Sequence, residues 1–571
     1  MNVTINARLG YKDLFDDEPK SKEFYLKTIP EDMFLASAII SFANPKNILN
    51  NPMNILFLPE NKHFRDDILP KLEIKLKQNY KFYDIICCLR IAELILKRRT
   101  VTNANEAEAE INWLKLILIV NDELNKEMTD GVEKKNLNHI QSTIFYTFYR
   151  YDLESIELSE VYVLLKLQII KSVEFFSFLK NSTKLKPYLR PFLEKYEIDN
   201  WEDWIKNLVS LTLLMMTGKN DLLPDNFSKI RADFNNRTYF EYTLAKNKFY
   251  TKNCRFFDEL SINSDINNNK EFKRNFITLR EYPVYKIDEE KYLIISTQFF
   301  VEKIYTNIQT TFIKEINVPY DEKVNFKSIS GEDFSERTLF YSMMKKSFPN
   351  RWMHISGEKF KSKGYKVSEP DYYLRFKNTV FLFECKDVSL TGFVKQSFDY
   401  TEIENGLMRK FYKEIKSNGK IKKRAILQLL ENIKRVYNNL FERCDNGYDG
   451  KKVKIYPILI THNRQFDCLG INKLLNNWFK QELQSNSTEI CIKNAEPLTL
   501  INIEIFLRWH EAINKRSKFI FEKMIDEFQK KAANQNEIDS NISFTYFFKQ
   551  KMKSQNIPES NLNEYLNLFD Y

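Results

Sequence analysis

"EPDYYLRFKNTVFLFECKD", residues 369–387, is the stretch whose reading decides the fold. An apolar run, "TVFLF" (379–383), leads straight into Glu384-Cys385-Lys386, and a second carboxylate, Asp371, stands upstream. Lys377-Asn378 reads as a two-residue hairpin turn, because asparagine tolerates the positive φ that such turns require. Pairing outward from this turn sets Phe376 against Thr379 and Arg375 against Val380, and it brings Asp371 opposite Glu384. Residues in that register share one face of the sheet, with Cβ atoms about 5 Å apart. Lys386 points to the same face, while Cys385, Phe383 and Phe381 point to the other, into an apolar layer.

Two carboxylates so close repel, and each raises the other's pKa unless a cation lies between them. A hard divalent ion, Mg2+ or Mn2+, takes carboxylate oxygens and leaves positions for phosphate. Asp371 and Glu384 are therefore candidate metal ligands, with the backbone carbonyl of Cys385 as another. Lys386 would hold or help deprotonate the attacking water and steady charge on the phosphorane. This is the chemistry of phosphodiester hydrolysis. An isolated Glu-x-Lys is most simply a surface salt bridge. The Pro-Asp across the register and the apolar strand before the glutamate tip the balance toward a site.

Pro370-Asp371, then twelve residues, then Glu384-Cys385-Lys386 resembles the PD-(D/E)xK signature of the restriction-endonuclease-like nuclease superfamily, over about residues 328–461. The resemblance implies an α/β core, a mixed sheet flanked by helices. A helix bearing a glutamate precedes the hairpin in this superfamily, and a helix and a further strand follow it. "SGEDFSERTLFYSMMKKSF" (330–348) fits the first helix, with Ser330 and Asp333 as a capping box. Helical phase puts Phe334, Phe340, Tyr341, Met344 and Phe348 around the buried stripe. Glu336 falls on its flank and Glu332 farther round, so Glu336 is the expected catalytic and metal-binding acid. Ile426, Leu429, Leu430, Ile433, Tyr437 and Leu440 mark an amphipathic crossover helix. It leads to "YPILIT" (456–461), the expected next parallel strand, with Pro457 at its start or on an edge. Some members carry a functional glutamine in this helix. Gln428 is the candidate, although its phase lies nearly opposite the apolar stripe.

A chain of 571 residues is too long for one core, so an α+β multidomain protein is expected. Residues 1–265 read as a mostly α-helical domain, with helical spacing over 64–99, 107–126, 153–179 and 201–216. "EAEAE" (106–110) reads as an exposed helix start. The polar stretch 261–275 reads as a boundary. Residues 276–325 follow, with "YPVYKIDEEKYLIIST" (282–297) as two strands around Asp288-Glu289 and then a helix over 298–312. The nuclease domain is expected at 326–500, followed by a helical C-terminal extension over 501–571.

The net charge of +10 agrees with a nucleic-acid partner, but the abundance of Lys, Asn, Ile, Phe and Tyr beside 12 Gly is also what an AT-rich genome gives. Local clustering is more informative. Arg409, Lys410, Lys413, Lys416, Lys420, Lys422, Lys423 and Arg424 crowd around one acid, with Phe411 and Tyr412 among them. They read either as a solvated loop about Ser417-Asn418-Gly419 or as a phosphate-tracking arm whose binding depends steeply on salt. Seven scattered cysteines without metal spacing fit a reduced, cytoplasmic protein and argue against zinc. There is no signal pattern, no membrane-length apolar run, and no phosphate-loop, dinucleotide, HExxH or GxSxG motif. The five histidines are dispersed, and His462 reads as a loop residue.

The expected function is a Mg2+-dependent endonuclease. DNA is favoured over RNA because the superfamily mostly cuts DNA. By analogy, a large helical domain on such a nuclease suggests an effector of defence against foreign DNA, with a protein partner or a second copy held through the helices. Two alternatives stay open: a binding or assembly protein with a degenerate nuclease fold, and an RNA-cleaving nuclease.

Overall fold

A computed structural model of the chain describes residues 7–29, 59–82, 85–97, 105–133, 136–154, 158–217, 231–233, 241–244, 246, 248, 250–262, 276–313, 325–365, 369–485, 492–534, 538–561 and 565. The chain is α+β, with helices predominating. It divides into two compact units. Among the described residues no helix is long and apolar enough to cross a membrane. Residues 263–275, most of the expected boundary, lie outside the described residues.

One unit comprises 4–130, 153–324 and 563–571. Helices Ile85–Lys97 and Glu106–Glu133 contribute Cys87, Ile91, Leu116 and Val120 to an apolar cluster shared with Leu9 and Tyr11. The helical run read over 64–99 is two helices, Lys62–Lys77 and Ile85–Lys97, with Asn79 in the left-handed region (φ 65°) after the first. Glu106 and Glu108 are exposed as expected, but Glu110 is buried and accepts a 2.6 Å hydrogen bond from the Asn61 carboxamide. A second cluster stacks Phe192 on Phe312 at 5.0 Å, beside Phe176 and Trp204. The unit also holds a sheet that helical spacing hides. Its strands are β1 (Arg231–Asp233), β2 (Glu241–Thr243), β3 (Ser261–Ile262), β4 (Val284–Lys286) and β5 (Lys291–Ile294), in the order β1-β2-β5-β4-β3. The pair β4 and β5 is the one expected about Asp288, whose carboxylate accepts the N–H groups of Glu290 and Lys291. The first three strands have two or three residues each, too few to leave a period of two in the sequence.

The other unit comprises 1–3, 131–152 and 325–562. It draws in most of helix His139–Glu154, from the half read as one separate domain. Tyr149 of that helix stacks on Phe398 at 4.3 Å, and Thr147 Oγ1 lies 2.8 Å from Cys468 Sγ. Gly470, at φ 85°, passes so close to Ile144 that a Cβ would sit 2.9 Å from it. Such matches between distant segments leave no local pattern.

The sheet of this unit contains β6 (Met353–Ser356), β7 (Tyr372–Phe376), β8 (Thr379–Lys386), β11 (Lys454–Thr461) and β12 (Thr499–Asn502), in the order β12-β11-β8-β7-β6. Between β8 and β11 the chain also makes a separate hairpin of β9 (Lys413–Ile415) and β10 (Ile421–Lys423). Strands β6, β7 and β8 are antiparallel neighbours, whereas β8, β11 and β12 run parallel. Helix Ala425–Tyr437 makes the crossover to β11 and packs on one face. Pro457 sits inside β11, a central strand, rather than on an edge. The carbonyls of Ile455 and Thr461 bond toward the β12 side, so the backbone of Pro457 faces that side too. There the pairing is interrupted between the Ile455–Ala495 bridge and Ile458–Thr499, and no ladder bond is lost to the missing N–H.

The other face carries the helical stretch 326–347. It starts earlier than expected: the Asn325 carboxamide accepts the Ser328 N–H at 3.0 Å, and Ser330 is buried inside the helix instead of capping it. Its turns widen to π-helix over Ser330–Phe340. The predicted stripe of Phe334, Phe340, Tyr341, Met344 and Phe348 is buried. Residues 501–562 belong to this unit and are no extension of it. Phe521 contacts Phe348 at 5.2 Å, Phe381 at 5.7 Å and Phe506 at 5.7 Å, so the C-terminal segment closes the core over the central strand. Strand β12, which straddles the expected start of the helical extension, is sealed by helix Ile471–Ser485: Asn472 and Asn476 accept the N–H groups of Leu500 and Leu498. The expected consequence is that Phe521→Ala lowers stability by ~3–5 kcal/mol, measured by urea unfolding. A change within ~1 kcal/mol would restore the C-terminal segment to an appendage.

Candidate active site

The hairpin of β7 and β8 has the register read from the sequence, Tyr372 opposite Phe383 through to Phe376 opposite Thr379. The turn differs in one detail. Positive φ falls on Lys377 (53°) and not on Asn378. Asp371 immediately precedes β7, and its Oδ2 accepts the backbone N–H of Cys385 at 2.7 Å. Lys386 Nζ donates to Asp371 Oδ2 at 3.2 Å and to Glu384 Oε2 at 3.0 Å. The three side chains therefore meet at the end of β8, as the register requires.

Neighbouring elements hold this group in place. Gly357 donates its N–H to the Asp371 carbonyl at 3.0 Å, and a Cβ there would lie 3.3 Å from both the Pro370 carbonyl oxygen and the Tyr341 hydroxyl. Ser335 Oγ, on the π-helical stretch, donates to Asp387 Oδ2 at 2.5 Å and ties helix to strand end. The next residue of that stretch, Glu336, is half-buried and accepts from the Tyr341 hydroxyl at 3.3 Å, while Glu332 is exposed. From the crossover helix, Asn432 Nδ2 donates to Glu384 Oε1 at 3.4 Å, and both residues are fully buried. The sequence reading chose Gln428 in this helix. Gln428 is half-exposed and makes no hydrogen bond to the carboxylates; Asn432, one turn later, takes that place. An asparagine inside an otherwise apolar helical stripe was the available signal. Cys385 is buried as expected, but its Sγ meets a polar partner, His462 Nε2, at 3.3 Å.

Glu384 is 0% exposed. Burial, then repulsion by Asp371, pushes its carboxyl well above the usual range against the pull of Lys386. Burial and Asp371 likewise raise Glu336 to about 8, opposed by Lys386 and Arg337. Burial alone would lower the Lys386 ammonium. Asp371 and Glu384 outweigh it and raise its pKa, so Lys386 stays charged.

Three carboxylates around one ammonium leave negative charge uncompensated when all are ionised, and an added divalent ion would neutralise it. Asp371, Glu384, Glu336 and the Cys385 carbonyl are hard oxygen donors of the kind that Mg2+ or Mn2+ takes. The ammonium spans two of these carboxylates, and among the described residues no three His, Cys, Asp or Glu side chains converge in a metal-holding group.

The basic segment, read as either a solvated loop or a phosphate-tracking arm, forms a two-stranded hairpin. Lys423 pairs with Glu431 and Arg424 with Glu414. Lys413 lies 4.5 Å from the centre of the Tyr412 ring. Lys410 is half-buried, and burial, then Lys327 and Arg424, lower its pKa. Arg409, Lys416, Lys420 and Lys422 are exposed and make no ion pair among the described residues. Comparison of the chain with protein-family models, curated proteins and solved structures finds no match.

Glu336, near 4.5 in the unfolded chain, keeps its proton up to about 8 in the folded one. Between these values the folded chain binds the extra proton, so unfolding free energy falls as pH rises. In EDTA, Tm is expected to drop from pH 5 to pH 8 and to drop less in Glu336→Gln. An equal drop in the variant would contradict this placement of Glu336.

Proposed function

We propose that the chain is a divalent-metal-dependent nuclease of the PD-(D/E)xK type that hydrolyses phosphodiester bonds, with DNA as substrate. The observation that carries the reading is the Lys386 ammonium spanning Asp371 and Glu384 at the end of β8. The order of elements adds support: a helix bearing Glu336, an antiparallel hairpin, then a crossover helix and a parallel strand.

Asp371, Glu384, Glu336 and the Cys385 carbonyl would hold Mg2+ or Mn2+, which supplies Lewis-acid polarisation of the phosphate. Lys386 remains an ammonium, so its part is to orient the attacking water and oppose the charge that grows on the phosphate oxygens. Water oxygen bonds to phosphorus as one ester P–O bond breaks. The proton released by water passes to a carboxylate of the cluster, and the departing oxygen takes one from solvent. Asn432 fixes the rotamer of Glu384 from behind. The biological setting proposed, by analogy alone, is a cytoplasmic effector against foreign DNA, with the other unit engaging a partner protein or a second copy.

A second reading has this fold bind nucleic acid without cutting it. Its support is that the ammonium already occupies both carboxylates. The two readings part when the protein is incubated with supercoiled plasmid, single-stranded DNA and RNA, in Mg2+, Mn2+ or EDTA, beside Asp371→Ala and Lys386→Ala. The nuclease reading expects metal-dependent cutting of DNA that falls at least ~100-fold in both variants. Absence of cutting with undiminished binding would favour the second reading; cutting of RNA alone would change the substrate.

A further inference from the structure

The edge of the central sheet borders a cleft that the candidate active site does not use. It lies between helices Ile471–Ser485 and Lys523–Ala533, beside Pro497 just ahead of β12, and has a volume of about 100 Å3. Lys386 stands level with Asn502, at the far end of β12 and two strands away, so the cleft is separate from the carboxylates. Asn472, Lys473, Asn476, Asn477 and Lys480 line one side of it. The period of the helix brings these five positions onto one face. Ala532 and Ala533 make the opposite wall without bulk, and Lys530 and Lys531 offset the carbonyl end of that helix.

The strand edge decides what this lining offers. Leu498 N–H donates to Asn476 Oδ1 at 3.0 Å and Leu500 N–H to Asn472 Oδ1 at 2.7 Å. A backbone N–H can only donate, so each carboxamide must turn its oxygen to the strand and keep its NH2 for the cleft. Both asparagines are buried, and neither Nδ2 makes a hydrogen bond among the described residues. Gln529 Nε2 donates to Thr499 Oγ1 at 2.6 Å and to the carbonyls of Leu498 and Pro497 at 3.2 and 3.3 Å, which occupies those acceptors. Lys473 Nζ donates to Ser540 Oγ at 2.8 Å, and Lys480 is exposed without an ion pair among the described residues. The lining contains no carboxylate. Burial, then Lys480, lower the Lys473 ammonium below the usual lysine range. Two cations that repel each other with no acid between them are stabilised by an added anion.

We infer that this cleft is a phosphate site: the Asn472 and Asn476 amides and the Lys473 and Lys480 ammoniums donate to the oxygens of one phosphate group, free or carried by a mononucleotide. Donors from four side chains match a group with three or four acceptor oxygens better than a carboxylate with two. The volume suits a single such group and is well below the roughly 300–1,000 Å3 of pockets that enclose a whole drug-sized ligand. A nucleoside attached to the phosphate would extend past Asn477 and Lys480, the exposed end of the lining. The inference stands apart from the nuclease reading, because none of these residues belongs to that site.

The test is calorimetric titration of inorganic phosphate, adenosine monophosphate and adenosine into the full chain, at fixed ionic strength and in EDTA so that no metal bridges phosphate to the carboxylates. Saturable binding of phosphate to the wild type is expected. Lys480→Gln alters an exposed position and is expected to keep its Tm and to bind phosphate about tenfold more weakly, the loss of one charged hydrogen bond. Asn476→Asp keeps an oxygen for the Leu498 N–H but turns a second oxygen into the cleft in place of the NH2, and is expected to abolish binding. Phosphate is expected to raise the Tm of the wild type and to leave that of Asn476→Asp unchanged. No saturable binding by the wild type would overturn the site. Unchanged affinity in both variants would also overturn it, since the phosphate would then sit elsewhere on the chain. Binding of adenosine as tight as that of its monophosphate would overturn it as well. Equal affinity for phosphate and the monophosphate supports the site with the free ion as ligand; tighter binding of the monophosphate, with adenosine inert, supports it with a nucleotide. None of these results depends on whether the chain cuts nucleic acid, so the site and the nuclease stand or fall separately.

Discussion

One ammonium held between two carboxylates organises the second unit. Glu384 is wholly buried, and a charge in such a place is tolerated only with a partner at hydrogen-bond distance. Lys386 is that partner, two residues along the same strand, and Asp371 reaches it from across the hairpin. Removing Lys386 leaves two carboxylates facing each other where water is scarce, whereas removing either carboxylate leaves a matched pair. The surrounding elements meet this constraint: Cys385 donates its N–H to Asp371, Asn432 donates to Glu384, and Gly357 lets the chain at Pro370-Asp371 come close to Tyr341. Replacing the three by apolar residues would simplify packing. Their presence at a strand end, beside a glutamate raised to about 8, fits a site that accepts added positive charge.

The sheet gives this group its rigidity. Phe381 and Phe383 alternate with Leu382 and Glu384, so one strand seals the aromatic layer on one face and presents its carboxylate on the other. Phe340 reaches Phe383 at 6.0 Å from the helical stretch that carries Glu336, and Phe521 covers Phe381 from the C-terminal segment. The aromatic core thus fixes the distance between Glu336 and the strand end. The π-helical turns through Ser330–Phe340 enclose Ser335 and Glu336 on adjacent positions, one bonded to Asp387 and the other facing Asp371.

What was legible in the sequence was local. A two-residue turn and a period of two were enough to set the Asp371–Glu384 register and the side to which Lys386 points. Helical phase separated Glu336 from Glu332 and found the buried stripe of the helix. What was hidden depended on distant partners. Lys377 takes the left-handed conformation in place of Asn378, and residue preference alone had pointed to the asparagine. Asn432 lies within an apolar stripe, and only the position of Glu384 shows why a polar residue belongs there. Strand β12 has four residues and follows a long helical run, so it left no alternation to read. The basic segment left loop and arm both open because its charges conceal the Ile415–Ile421 pairing that makes it a ribbon.

The central claim is that the carboxylates now spanned by Lys386 are the ones that receive a divalent cation. Calorimetric titration of Mn2+ into the wild type, Asp371→Asn and Lys386→Met tests it directly. The account predicts one Mn2+ per wild-type chain, no binding to Asp371→Asn, and tighter binding to Lys386→Met, where the competing ammonium is gone. No heat of binding in the wild type, or equal affinity in wild type and Asp371→Asn, would contradict it.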